Sequence, residues 1–137
     1  MIKQLLVSFC VACVIMGCGA EESRTIDLPK EGLVATPYEN VVPLIGKEAL
    51  LLEFGSTTCA SCVEMGKILR KIKEEHPKSH LYFIEVYNDK QAMQNYGIQM
   101  IPTQIYLNAK GEEVDRHIGA VSYEQLIAKL KEQKIIF

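Results

Sequence analysis

The sequence contains no cysteine after position 62, no cluster of basic residues and no apolar run long enough to span a bilayer comfortably. The first absence removes the second ligand pair that a zinc site built on a C-x-x-C would need. His76, His80 and His117 are scattered without ligand spacing, so no metal centre is expected. With a formal net charge of −2, the chain offers no electrostatic basis for binding nucleic acid. No internal repeat or low-complexity tract is present, which argues against a solenoid or a tail. At 137 residues, one domain with extensions is the limit.

What is present is concentrated in one stretch, Leu50-Leu51-Leu52-Glu53-Phe54-Gly55-Ser56-Thr57-Thr58-Cys59-Ala60-Ser61-Cys62. An apolar run breaks at small and hydroxyl residues, two cysteines follow at C-x-x-C spacing, and a helical pattern begins. This predicts a strand, a turn and a helix start, with a dithiol at the junction. Residues three apart in a first helical turn lie on one face, so the two thiols can close a small disulfide ring and reopen it. Cys59 falls beside the unpaired N–H groups and positive dipole end of the helix, both of which stabilise a thiolate.

A strand buried on both faces should read as a continuous apolar run, and Glu53 interrupts this one. Two readings stand: an exposed position near a strand end, or a proton-handling group beneath the dithiol with its pKa raised by burial. Its place six residues before Cys59 favours the second.

Residues 1–17 read as a secretory signal, with Lys3 as the positive start and Leu5 to Met16 as the apolar core. Ile15-Met16-Gly17-Cys18 resembles a bacterial lipobox. That resemblance implies cleavage before Cys18 and acylation there, and several acyl chains on one residue anchor stably where one does not. A plain signal peptide or an uncleaved anchor are the alternatives. Cys10 and Cys13 repeat the C-x-x-C spacing, but inside the apolar run. Residues 18–32 then form a polar, acylated tether, and the domain occupies 33–137.

Within the domain, Leu33 to Ala35 reads as a short edge strand, and Tyr38 to Ile45 is ambiguous. Met65, Ile68, Leu69 and Ile72 form one apolar stripe on a helix running from Cys59 towards Glu75. Leu81 to Val86 is a second strand, parallel to the first if the helix is a crossover. Asn88-Asp89 can cap a short helix through Tyr96, closed by Gly97. Pro102 opens a third strand, Ile101 to Leu107. Asn108 to Gly111 turns the chain into a returning strand, Glu113 to Ile118. Ser122-Tyr123-Glu124-Gln125 is a capping box before a last helix that buries Leu126, Ile127 and Leu130.

This order resembles the thioredoxin family over about Leu50 to Lys131. Glu53 takes the place of the family's buried aspartate, and Cys59 and Cys62 take the active-site places. Tyr96-Gly97-Ile98 followed by Ile101-Pro102-Thr103 matches the segment with the family's cis-proline. Ile118-Gly119-Ala120 matches its glycine after the last strand. There are departures: Thr58 stands where the family usually has tryptophan, the dipeptide between the cysteines is Ala60-Ser61, and Phe83 and Glu85 lie where a buried lysine is usual.

The resemblance implies an α/β, thioredoxin-like fold, with a central mixed sheet of four to five strands flanked by helices. It implies a thiol-disulfide oxidoreductase without cofactor or metal, with a redox disulfide Cys59–Cys62. Cys59 would be the nucleophile, Cys62 the resolving thiol, and Glu53 the acceptor of the Cys62 proton. Ile101, Pro102 and Thr103 would bind an extended substrate. An exported reductase would need electrons from a membrane thiol transporter. Its clients would be exported disulfide-containing proteins, such as apocytochrome c or a peroxidase. The protein would act as a monomer facing the periplasm or outer surface. An oxidase or isomerase, or a non-catalytic binding module of the same fold, are the alternatives.

Overall fold

The hydrophobic centre of the molecule is one strand, β1 (Leu50–Gly55), buried along its whole length. The computed structural model describes residues 25–137. The expected signal segment, the lipobox with Cys18, and Cys10 and Cys13 lie outside the described residues.

Successive side chains of a strand point to opposite faces, and β1 uses both. Leu50, Leu52 and Phe54 enter one apolar cluster with Val41, Ile84, Ala92, Ile98 and Ile105. Leu51 enters the other, with Met65, Leu69 and Ile72 of helix α2 (Ala60–Glu75) and with Leu126 and Leu130 of α4 (Tyr123–Glu132). Glu53 and Gly55 share the face of Leu51. The stripe at Met65, Ile68, Leu69 and Ile72 is what packs α2 onto that face. Ile127 of α4 is only half-buried at its edge.

Four strands make the sheet among the described residues, in the order β2-β1-β3-β4. Strand β2 (Leu81–Glu85) runs parallel to β1, joined by α2 as crossover. Strands β3 (Thr103–Leu107) and β4 (Glu113–Ile118) are antiparallel additions, β3 beside β1 and β4 at the edge. Register places Glu53 between Phe83 on β2 and Gln104 on β3. The sheet is therefore mixed, with helices on both faces, as the resemblance implies.

Several local expectations change. Leu33 to Ala35 is not a strand: only Ala35 makes a bridge, to Phe83. The ambiguous segment resolves into one turn of helix, α1 (Tyr38–Val41), and a 3-10 turn at Val42–Leu44, where Pro43 loses nothing by lacking an N–H. Asp89 precedes α3 (Lys90–Asn95) but makes no cap; its Oδ2 instead accepts from the Tyr38 N–H at 3.2 Å, tying α1 to α3. Gly97 ends that helix with φ +60°, a conformation that favours glycine. The third strand begins at Thr103, leaving Ile101 and Pro102 in the approach to it. The capping box at Ser122 is formed from both sides. Part of the expected tether lies on the domain: Leu28 packs against the α2 cluster, and Glu31 faces Arg70 at 3.5 Å.

Candidate active site

Strand β1 ends at Gly55, and the chain must leave the sheet and enter α2 within a few residues. Val86 N–H closes the exit by donating to the Gly55 carbonyl. Ser56 and Thr58 then knot the turn: their hydroxyls lie 3.0 Å apart, and Thr58 N–H donates to Ser56 Oγ. Glu85, buried at the end of β2, accepts the Thr57 N–H through Oε2 at 2.9 Å. These bonds fix the residues that present Cys59.

Cys59 is the N-cap of α2, and its Sγ accepts from the Cys62 N–H at 3.3 Å. The Ser61 hydroxyl lies 3.3 Å from the same sulfur. Both are donors that a thiolate on Cys59 would keep, and the positive helix end adds to them. Cys59 and Cys62 are disulfide-bonded, with Cα atoms 5.2 Å apart. Cys59 is half-buried and Cys62 is fully buried. A partner can therefore reach the first sulfur and not the second.

Beneath Cys62 the packing is tight. A Cβ on Gly55 would lie 3.1 Å from Cys62 Cβ and 3.0 Å from the Phe83 ring. Only the missing side chain lets α2 approach β1 this closely. Glu53 is two residues earlier on the same strand face, about 7 Å along the strand. It is fully buried, so the exposed alternative is excluded. Its Oε1 accepts from Gln104 Nε2 at 3.2 Å, while Oε2 has no partner among the described residues. Burial pushes the Glu53 carboxyl up from 4.5 to about 8, against the downward pull of the Gln104 amide. Tyr106, two residues along β3, has its phenol raised by burial and by the nearby Glu53 charge.

The Ile101–Pro102 peptide bond is cis. Ile101 is half-buried, whereas Pro102 and Thr103 are buried. Thr103 is committed to the fold: its hydroxyl donates to the Met100 carbonyl at 2.7 Å, and its backbone pairs on both sides. Only Ile101 of the three expected substrate-binding residues is open to a partner. It borders a groove of about 540 Å³ lined by Val86, Tyr87, Met93, Ile98 and Met100. Tyr87 and Met100 are 66% and 65% exposed there. A larger hollow of about 930 Å³ lies at the other end of β1, around Ala49, His80 and Ile136, and holds no cysteine.

Gln104, Ser61 and Glu85 are site residues that sequence reasoning did not single out. Glu85 carried the same signal as Glu53, an acid inside an apolar strand. Gln104 carried it too, as an amide between Thr103 and Ile105.

Comparison with known proteins agrees with this geometry. The family model described as a thioredoxin-like domain matches residues 40–134. The thiol:disulfide interchange protein TxlA of Synechococcus elongatus is 30% identical over 120 residues, covering 85% of this chain. The chain spans 61% of that relative's length. Glutaredoxin-3 of Mus musculus is 26% identical over 86 residues, 63% of this chain and 25% of the relative. Among solved structures, reduced thioredoxin of Schistosoma mansoni superposes with a TM-score of 0.63 at 19% identity, covering 74% of this chain and 98% of that one.

Proposed function

Because the chain belongs to the thioredoxin-like family, we propose that it is a thiol-disulfide oxidoreductase working by dithiol-disulfide exchange through Cys59 and Cys62. One observation carries the reading: Cys59 caps α2 with its sulfur accessible and hydrogen-bonded, and Cys62, in the first turn, is buried. The naming of the Synechococcus elongatus relative as an interchange protein supports it.

In the reduced protein, the Cys59 thiolate attacks one sulfur of a partner disulfide. A Cys59–partner bond forms, and the other partner sulfur leaves as a thiolate. Cys62 gives its proton to the Glu53 carboxylate, directly or through water, and its thiolate attacks Cys59 Sγ. The Cys59–Cys62 bond forms, the mixed disulfide breaks, and the partner departs as a dithiol after taking up two protons. Two electrons have passed from this protein to its partner. In the reverse direction, neutral Glu53 returns a proton to Cys62. An extended client would lie along the Ile101 side of the groove beside Tyr87 and Met100.

The finer reading is an exported, lipid-anchored reductase. It rests on Lys3, the apolar run to Met16 and the lipobox-like Ile15-Met16-Gly17-Cys18. Such a protein receives electrons from a membrane thiol transporter and spends them on exported disulfide proteins, an apocytochrome c or a peroxidase among them.

The test is a Cys62→Ser variant of the full chain, expressed in bacteria. It should accumulate covalent adducts on Cys59 that dithiothreitol releases, and those adducts should be exported proteins. No adduct, with Cys59 alkylated no faster than an ordinary thiol, would make the domain a non-catalytic module. Adducts confined to cytoplasmic proteins would overturn the export reading.

A further inference from the structure

Strand β3 places a glutamine, fully buried, directly across from the buried acid of β1. An apolar side chain would fill that position without leaving polar atoms to satisfy. The Gln104 amide nitrogen donates twice, to Glu53 Oε1 and to the Gly119 carbonyl, each at 3.2 Å. Gly119 O can only accept, so it fixes which end of the amide turns this way. Glu53 is thereby shown a donor and not a carbonyl. The cost is visible: Gln104 Oε1 is buried with no partner among the described residues. Gly119 in turn donates its N–H to the Pro102 carbonyl at 2.8 Å. One line of hydrogen bonds therefore runs from the cis-proline corner through Gly119 and Gln104 to the acid.

We propose that Gln104 is a positioning residue for proton transfer: anchored by Gly119, its N–H keeps the buried Glu53 able to exist as the carboxylate that accepts the Cys62 proton. This rests on the dithiol-exchange reading above. A hydrogen bond to the charged form favours that form, and it does so most where no bulk water competes. Without it, burial alone acts on Glu53, which then stays protonated to higher pH. A protonated Glu53 cannot take the Cys62 proton, so the mixed disulfide resolves slowly.

The other groups facing Glu53 do not supply this donor. Phe83, its register partner on β2, and the α2 residues packed on the same face of the sheet, Met65 among them, are apolar. Cys62 is the thiol being served. Tyr106 on β3 feels the Glu53 charge, and a phenolate there would only oppose the carboxylate. His117 pairs with Gln104 from β4 but is exposed. Farther along, Asp115 and Lys129 neutralise each other at 2.7 Å.

The experiment compares wild type with Gln104→Met, which keeps length and apolar volume and removes the donor. The Glu53 carboxyl carbon is titrated by NMR in the oxidised protein, and resolution of a Cys59 mixed disulfide is timed against pH. The midpoint should rise by about one pH unit, and resolution at pH 7 should slow up to about tenfold. A purely structural role would lower the melting temperature without moving the midpoint, and would overturn the proposal. Should Gln104→Met fail to fold, wild type and Glu53→Gln decide. The Gln104 side-chain amide resonance must then shift with the same midpoint as Glu53, and must stop titrating in Glu53→Gln. An amide insensitive to pH overturns the proposal. Wild type that forms no mixed disulfide at all defeats the exchange reading instead.

Discussion

The two faces of β1 differ in one respect. On one, Leu50, Leu52 and Phe54 pack into an unbroken apolar cluster. On the other, Leu51 is followed by a buried acid and then by a glycine, directly under the dithiol. The residues alternate along a single six-residue strand, so solvent and sheet position are matched. The contrast teaches that the second face gives up hydrophobic burial for chemistry. A buried carboxylate is costly, and an apolar residue at 53 would fit the surrounding cluster better.

Breaking the apolar face should have the largest effect on stability. Phe54→Ala should cost about 3–5 kcal/mol in denaturant unfolding. In the fraction that remains folded, the pH profile of Cys59 alkylation should be unchanged. A shifted profile would mean that the two faces are not separable.

Breaking the other face should do the reverse. The folded-state pKa of Glu53, about 8, lies above the unfolded value near 4.5. The folded form thus binds more protons between those values. Its stability is full below about pH 4.5, falls as pH rises, and levels off above about 8. Glu53→Gln should remove this slope and stabilise the oxidised protein by about 3 kcal/mol at pH 7. Resolution of the mixed disulfide should slow at the same time. Loss of stability on this substitution would contradict the comparison.

The smallest of the three effects sharpens it. Gly55→Ala puts a methyl group 3.0–3.1 Å from the Phe83 ring and Cys62 Cβ. It should cost about 1–3 kcal/mol. It should also alter Cys62 reactivity, measured by differential alkylation, more than Phe54→Ala does.

Element order was legible in the sequence because periodicity and punctuation agreed: the α2 stripe, Gly97 and the Ser122 box each mark something built. The dithiol at a strand-to-helix junction was legible for the same reason. Pairings across the sheet were not. Nothing in Thr103-Gln104-Ile105 says that Gln104 faces Glu53, because register depends on contacts between residues 51 positions apart. Asp89 misled because its carboxylate accepts from the Tyr38 N–H, distant in sequence, and makes no local cap on α3. The Leu33 to Ala35 segment reads as a strand by composition, yet it pairs with β2 through a single bridge at Ala35.

The most direct measurement is the titration of the Glu53 carboxyl carbon in the oxidised, full-length protein. A midpoint near 8 is the expected result, placing an acid that changes protonation near neutrality beneath Cys62. A midpoint in the ordinary range near 4.5 would mean that the acid is solvated or otherwise compensated, and the face below the dithiol would have no special role in moving the proton.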